Sequence, residues 1–313
     1  MDTSELDYDL PSELIAQHPP ERRDASRLLV FDRATGDVRH RTFAELPEEL
    51  SGELAVVNDT RVVPARIRIE RPKGEVLLLE HEGGGEWLAL ARPTRRLKPG
   101  GRYGSVELLE HLGEGRWRVR LDGEPDGAAG ETVPLPPYIT EPLADPSRYQ
   151  TVYADEAGSA AAPTAGLHFT PELLGRLDVE RVTLHVGLDT FRPLTTDTLE
   201  AHELHGERYS VRPEAWERID AAERVLAVGT TTVRVLETVA SNRLLQGRTS
   251  LFVTPGFEFR RVDALLTNFH LPRSTLLALV MAFAGVEETR RIYAEAIAER
   301  YRFYSFGDAM LIL

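Results

Sequence analysis

The heptapeptide HELHGER, residues 202 to 208, sets His202 and His205 three apart and Glu207 two residues beyond the second histidine. A zinc-protease helix needs HExxH, which puts its histidines four apart on one face; here Gly206 stands where the second would fall. Three readings stay open: an exposed turn, a metal site on an irregular segment, or groups for acid–base work and substrate hydrogen bonding. Histidine titrates near neutral pH and a nearby carboxylate raises its basicity, so the trio suits proton transfer.

Other polar strings sit at predicted turns. In AVGTTTVR, an apolar strand breaks at Gly229 into a helix whose first residues are Thr230, Thr231 and Thr232. Helix N-termini expose unpaired N–H groups, which favours an oxyanion, carboxylate or ribose there; one threonine would suffice as a plain cap. AAPTAGLHFT places small residues and Gly166 before His168 and Phe169, either for close approach to a ligand or as a tight turn under a half-buried ring. TLHVGLDTFRP puts His185 at the end of an apolar strand, with Gly187 at its turn. LLTNFHLPRST adds Thr267, Asn268 and His270 ahead of an apolar helix capped by Ser274.

These turns need elements to hold them. RLLVFDR, DVRHRTF and ELAVVND read as strands. From Val62 to Pro137 the pattern is purely β, with EVLLLEHE, EWLALARP, VELLEHL and RWRVRL separated by glycine turns, which predicts a small barrel or sandwich. Beyond Pro146 strands and helices alternate: TPELLGRL, VERVTLHVG, RVLAVG, TTTVRVLETVASNRLL, SLFVTPG, STLLALVMAFAG and EETRRIYAEAIAERY. The expected fold is an open, mostly parallel α/β sheet domain, residues 1–61 and 151–313, interrupted by an inserted small β-barrel domain, residues 62–150. The proline-rich PLPPYITEPLADP is the expected return linker.

The chain has 313 residues, 42% hydrophobic and 28% charged, an ordinary globular mixture long enough for two cores. Without cysteine there is no disulfide and no thiolate metal site, which fits a reducing cytoplasm; a metal would need histidine and carboxylate ligands. The acidic start MDTSELDYDL lacks the pattern of a signal peptide, and TLLALVMAFAGV is too short to span a bilayer. A net charge of −13 disfavours broad adhesion to nucleic acid or anionic membrane. Yet from Arg61 to Ser105 ten Arg and Lys residues face five acidic ones, and Lys73 and Lys98 are the chain's only lysines. Guanidinium groups suit phosphate forks and base stacking, although a solvated strand face has the same composition.

Strings in consistent order along almost the whole chain, among them DYDLPSELIAQHP, VVNDTRVVPARI, PLPPYI, AAPTAGLHFT, VGTTTVRVLE, VDALLTNFHLPRSTLLALVMAFAG and YRFYSFGDAMLIL, give it a family likeness. It resembles the S-adenosylmethionine:tRNA ribosyltransferase-isomerase family of queuosine biosynthesis. Two positions depart from that pattern: Asp189 stands where a glycine is usual before TF, and Leu204 replaces the methionine of HxMHxE. The resemblance implies an α/β domain interrupted by a β-barrel. It also implies transfer and isomerisation of the ribosyl part of S-adenosylmethionine onto 7-aminomethyl-7-deazaguanine at the tRNA wobble position, giving epoxyqueuosine, adenine and methionine.

That reaction needs a base to make the sulfonium ylide and acids to stabilise the leaving purine, but no metal or prosthetic group. Expected proton-transfer residues are His202, His205 and Glu207, then His168 and His185. Expected to hold the cosubstrate S-adenosylmethionine are Pro163, Thr164, Ala165, Gly166, Phe169, Gly187, Thr190, Gly229, Thr230, Thr231, Thr232, Arg234, Thr267, Asn268, Phe269 and His270. Asn58, Asp59, Thr60, Arg61, Arg66, Arg95, Arg96 and Lys98 are expected to meet tRNA. The partners are then tRNA and S-adenosylmethionine, with neither membrane nor obligate protein partner. The competing readings are a His/carboxylate metal-dependent nucleotide hydrolase and an inactive tRNA-binding homologue.

Overall fold

The computed structural model describes residues 1–113, 115–123, 125, 134–187, 194–202, 204 and 206–313. Asp189, Thr190 and His205 lie outside the described residues.

A nine-stranded mixed sheet runs in the order Gln246–Thr249, Glu207–Ser210, Val179–Leu184, Leu54–Asn58, Val225–Val228, Ala264–Asn268, Ala309–Ile312, Arg27–Phe31, Val38–Thr42. The four strands from Val179–Leu184 to Ala264–Asn268 are mutually parallel. Antiparallel pairings enter only towards the flanks. Three of these central strands, Leu54–Asn58, Val225–Val228 and Ala264–Asn268, are buried at every residue, as strands covered on both faces must be. Alternate residues feed two cores. Val56, Ala227 and Leu265 join Val233, Leu236 and Val280 from helices Thr230–Asn242 and Thr275–Ala284 on one side, while Ala55, Leu226 and Leu266 join Phe43, Phe169 and Leu173 on the other.

A second, barrel-like sheet of six antiparallel strands has the order Arg66–Ile69, Gly74–Gly83, Glu86–Arg92, Arg116–Leu121, Val106–Gly113, Arg102–Tyr103. Its own core contains Val76, Leu78, Trp87, Ala89, Leu108 and Trp117. The chain leaves the large sheet through Thr60–Val62 and returns through Glu156–Ser159, and these two segments pair in parallel.

Local signals explain the helix starts. Thr170 and Ser274 accept hydrogen bonds from Leu173 N and Leu277 N at 3.2 and 3.1 Å, as expected of N-caps. SLFVTPG does not form the expected strand. Pairing stops at Thr249, because the carbonyls of Thr249 and Leu251 accept from the Arg234 guanidinium, at 3.1 and 3.0 Å.

Candidate active site between the two sheets

Where the parallel strands end, their following turns converge. A cavity of about 220 Å³ opens there. Its polar wall carries His185, Gly187, Glu207, Thr230, Thr231 and Arg234, and the facing wall of Leu79, Leu88 and Leu90 comes from the barrel-like sheet. Leu204, Leu251, Phe252, Val253, Leu276 and Leu279 add to the apolar lining. A recess of about 30 Å³ shares Thr230, Thr231 and Leu276 with it and is bounded by Pro163, Thr164, Ala165, Gly229, Asn268 and His270. Ligand sites at the carboxyl ends of parallel strands follow from sheet topology, since the connecting loops gather there.

Glu207 opens its strand and is held at both oxygens. Oε1 accepts from Gly187 N at 2.8 Å and Oε2 is ion-paired to Arg234 Nη1. Both side chains are about one-tenth exposed, so this carboxylate is a buried anion with a fixed counter-ion rather than a loose base. His185 is half-buried, with Nδ1 2.9 Å from Thr60 Oγ1. Burial, and secondarily Arg208, lowers its pKa, which leaves a neutral imidazole against the cavity. Gly229 takes φ +90° at the strand-to-helix turn, a conformation glycine adopts without a Cβ penalty. The opening turn of helix Thr230–Asn242 thus meets the cavity with N–H groups that lack intrahelical partners.

The structure does not bring all expected residues here. His168 is 3% exposed and lines neither cavity nor recess. Asn268 Nδ2 lies 3.1 Å from its Nε2; an amide nitrogen can only donate, so the proton sits on Nδ1, 2.8 Å from Ser26 Oγ. Burial, then Arg302 and Arg23, pushes its pKa down to about 3, and Phe43 stacks on it. Burial takes His270 to about 3 as well, with Nε2 2.8 Å from Thr267 Oγ1. Phe269 packs among Tyr293, Tyr301 and Phe303 and is fully buried, which leaves no ring face for a purine. Phe169 is closed in the same way by Phe43 and Tyr153. Thr232 directs its hydroxyl to Val228 O at 2.7 Å. A Cβ on Gly166 would stand 1.9 Å from the Tyr153 hydroxyl, so its closeness serves a protein contact. His202 contacts Phe252 edge to face, one ring removed from the cavity.

The expectation that Asn58 and Thr60 face RNA is not met. Both are fully buried. Asn58 Oδ1 accepts from Leu184 N and Thr60 N, and Nδ2 donates to Leu184 O and Thr231 Oγ1, so the side chain ties three strand ends to the helix start. Asp59 is nearly buried, accepts from Thr183 Oγ1 at 2.7 Å, and has its pKa raised chiefly by burial. Arg61 reaches Asp155 O at 3.3 Å, and Arg66 stands 3.8 Å from Glu75. Arg95, Arg96 and Lys98 are exposed, and none has an ion-pair partner among the described residues.

Sequence reading missed Arg116, Arg208 and Arg248, which line the cavity, and the leucines facing them. Arg248 pairs with Glu80, and Arg208 donates to His81 O at 2.8 Å, so both bridge the two sheets. A signal existed: VLLLE and WLALA are apolar at consecutive positions, and a strand with one wet face alternates. Among the described residues no three His, Asp or Glu side chains converge to hold a metal, and no helix is long and apolar enough to cross a membrane.

The chain matches, over residues 3–312, the family model described as queuosine biosynthesis protein. It is 54% identical to the S-adenosylmethionine:tRNA ribosyltransferase-isomerase of Rubrobacter xylanophilus, across 100% of this chain and 98% of that protein. The protein of the same name from Symbiobacterium thermophilum is 50% identical, with 100% of both chains covered. A crystal structure of S-adenosylmethionine tRNA ribosyltransferase from Thermotoga maritima is 39% identical, with a TM-score of 0.58 over 99% of this chain and 100% of that one. With this fold, this cleft and full-length identities of that size, the chain belongs to the queuosine biosynthesis family, as a transferase of the S-adenosylmethionine:tRNA ribosyltransferase-isomerase type.

Proposed function

We propose that the protein moves the ribosyl part of S-adenosylmethionine onto 7-aminomethyl-7-deazaguanine at the tRNA wobble position and isomerises it, releasing adenine and methionine and leaving epoxyqueuosine. The observation that carries this reading is the cavity between the sheets, with an apolar wall for a purine opposite a polar wall of His185, Glu207–Arg234 and a helix N-terminus. In it the opening turn at Thr230 and Thr231 hydrogen-bonds cosubstrate oxygens. The Glu207–Arg234 pair orders Gly187 and the adjoining strand, and His185 takes the proton lost from the carbon beside the sulfonium. His202 and His205 remain candidates for the later proton transfers. Residues 62–150 form the inserted unit, whose exposed Arg95, Arg96 and Lys98 meet anticodon-arm phosphates while the wobble base enters the cleft unstacked. The protein acts in the cytoplasm on these two substrates without a prosthetic group.

The test is adenine release from S-adenosylmethionine in the presence of tRNA carrying the precursor base, after chelation of metals. Release that depends on that tRNA is the expected result; an intact cosubstrate overturns the reading.

A further inference from the structure

The Thr60 hydroxyl is fully buried and has one proton but two close neighbours. His185 Nδ1 lies 2.9 Å away and the Glu156 carbonyl oxygen 3.4 Å away. A carbonyl oxygen only accepts, so the hydroxyl proton is best placed towards Glu156; a lone pair turned there would face another lone pair. The hydroxyl oxygen then accepts from Nδ1–H. Among the described residues Nε2 has no hydrogen-bond partner, and the ring borders both the cavity and an open cleft lined by Glu80, Arg208 and Arg248. Two further contacts hold this arrangement. Asn58 Oδ1 accepts from Thr60 N at 3.2 Å, and the ring lies so close over Gly158 that a Cβ there would come within 3.0 Å of its Cε1.

We propose that Thr60 is a positioning residue: it holds His185 in the Nδ1–H tautomer and so presents an unprotonated Nε2 to the cavity. The inference rests on the reading of that cavity as the S-adenosylmethionine site. There Nε2 takes a proton from the carbon beside the sulfonium, becoming imidazolium as the cosubstrate becomes a neutral ylide. The electron pair of the broken C–H bond stays on carbon. An oriented neutral imidazole is useful only in the correct tautomer, which is the role a buried hydrogen-bonding neighbour plays for a catalytic histidine.

Titratable and charged groups around the ring come from three elements: Arg208 and Glu207 on the adjoining strand, Glu80 and His81 on the barrel-like sheet, and Arg248 on the edge strand. None of them touches Nδ1 in place of Thr60.

The experiment uses histidine labelled with ¹⁵N in the full-length protein, with Thr60→Val, Thr60→Ser and His185→Gln. Nitrogen chemical shifts, assigned by loss of the His185 signal in the last variant, report the tautomer without substrates. The expected spectrum has a protonated Nδ1 and a bare Nε2 in the wild type and in Thr60→Ser, and a mixture or the reverse in Thr60→Val. Adenine release should fall by at least roughly tenfold in kcat for Thr60→Val, with KM for S-adenosylmethionine within about twofold and kcat restored in Thr60→Ser. A protonated Nε2 in the wild type, or an unchanged spectrum and kcat in Thr60→Val, overturns the inference. The nitrogen spectrum decides the tautomer whether or not adenine is released, so failure of this inference and failure of the assigned reaction give different results.

Discussion

Glu207 shows how a residue's neighbours decide its chemistry. Its carboxylate is nearly enclosed with Arg234, and removing the charge strands a buried guanidinium whose other partners are the carbonyls of Thr249 and Leu251. Breaking such a pair typically costs about 3 kcal/mol, so Glu207→Gln should lose about that much unfolding free energy in urea titrations as well as losing turnover. A loss below about 1 kcal/mol in urea titrations would mean that the pair holds nothing. His168 and His270 are neutral residues whose folded pKa, about 3, lies below the ordinary 6.5. Above pH 6.5 both folded and unfolded forms are uncharged and the burial carries no pH-linked penalty. As pH falls from 6.5 towards 3 only the unfolded chain gains these protons, so stability is lost by roughly 1.4 kcal/mol per pH unit for each ring. His168→Gln should flatten the pH dependence of the unfolding midpoint by about one proton in that window; an unaltered slope would count against burial as the cause. Histidine was legible in the sequence as a titratable group. That His168 is locked inside and His185 faces the cleft was not, because each sits at a turn after apolar residues and only their distant partners differ.

At the scale of elements, the turn before His168 makes the clearest case. Gly166 packs against Tyr153, whose hydroxyl is buried without a hydrogen-bond partner among the described residues. Gly166→Ala should therefore destabilise by about 1–3 kcal/mol through overpacking. Tyr153→Phe alone should be nearly neutral, since the hydroxyl it removes satisfies nothing. Combining the two should recover part of the alanine's cost, because the closest contact is the hydroxyl oxygen at 1.9 Å; strict additivity in thermal unfolding would refute the contact. The glycine was visible in the sequence as a place of close approach, yet what approaches comes from a separate segment earlier in the chain. SLFVTPG failed as a strand for a related reason. Its β-branched and apolar residues have strand propensity, but the carbonyl groups around it are claimed by Arg234, and Leu251, Phe252 and Val253 are turned to the cavity.

At the scale of the whole molecule, polar links between the two sheets among the described residues include Arg248 with Glu80 and Arg208 with the His81 carbonyl, around an apolar gap. On a protein of net charge −13, Arg95, Arg96 and Lys98 form an exposed cationic group, the surface proposed above to meet tRNA. Removing one cation that neutralises a phosphate should reduce the slope of log affinity against log salt by about 0.7 to 0.9; Arg95→Ala with Arg96→Ala should reduce it by roughly twice that, measured with unmodified tRNA between low and moderate salt. A slope equal to that of the wild type would remove these two from the interface. Local pattern was enough to mark the buried central strands, the helices that follow two of them, the separate all-β segment and the turns that end the central strands, because hydrophobic period, glycine and capping residues act over a few positions. It missed the flanking strands Glu207–Ser210 and Gln246–Thr249. The strings themselves determined the family likeness. Tertiary structure alone decided which polar groups share the cleft, that Asn58 and Thr60 turn inward as fasteners, and what the doubly apolar strands of the barrel-like sheet face across the cavity. Those outcomes depend on contacts between residues far apart along the chain, which no local spacing encodes.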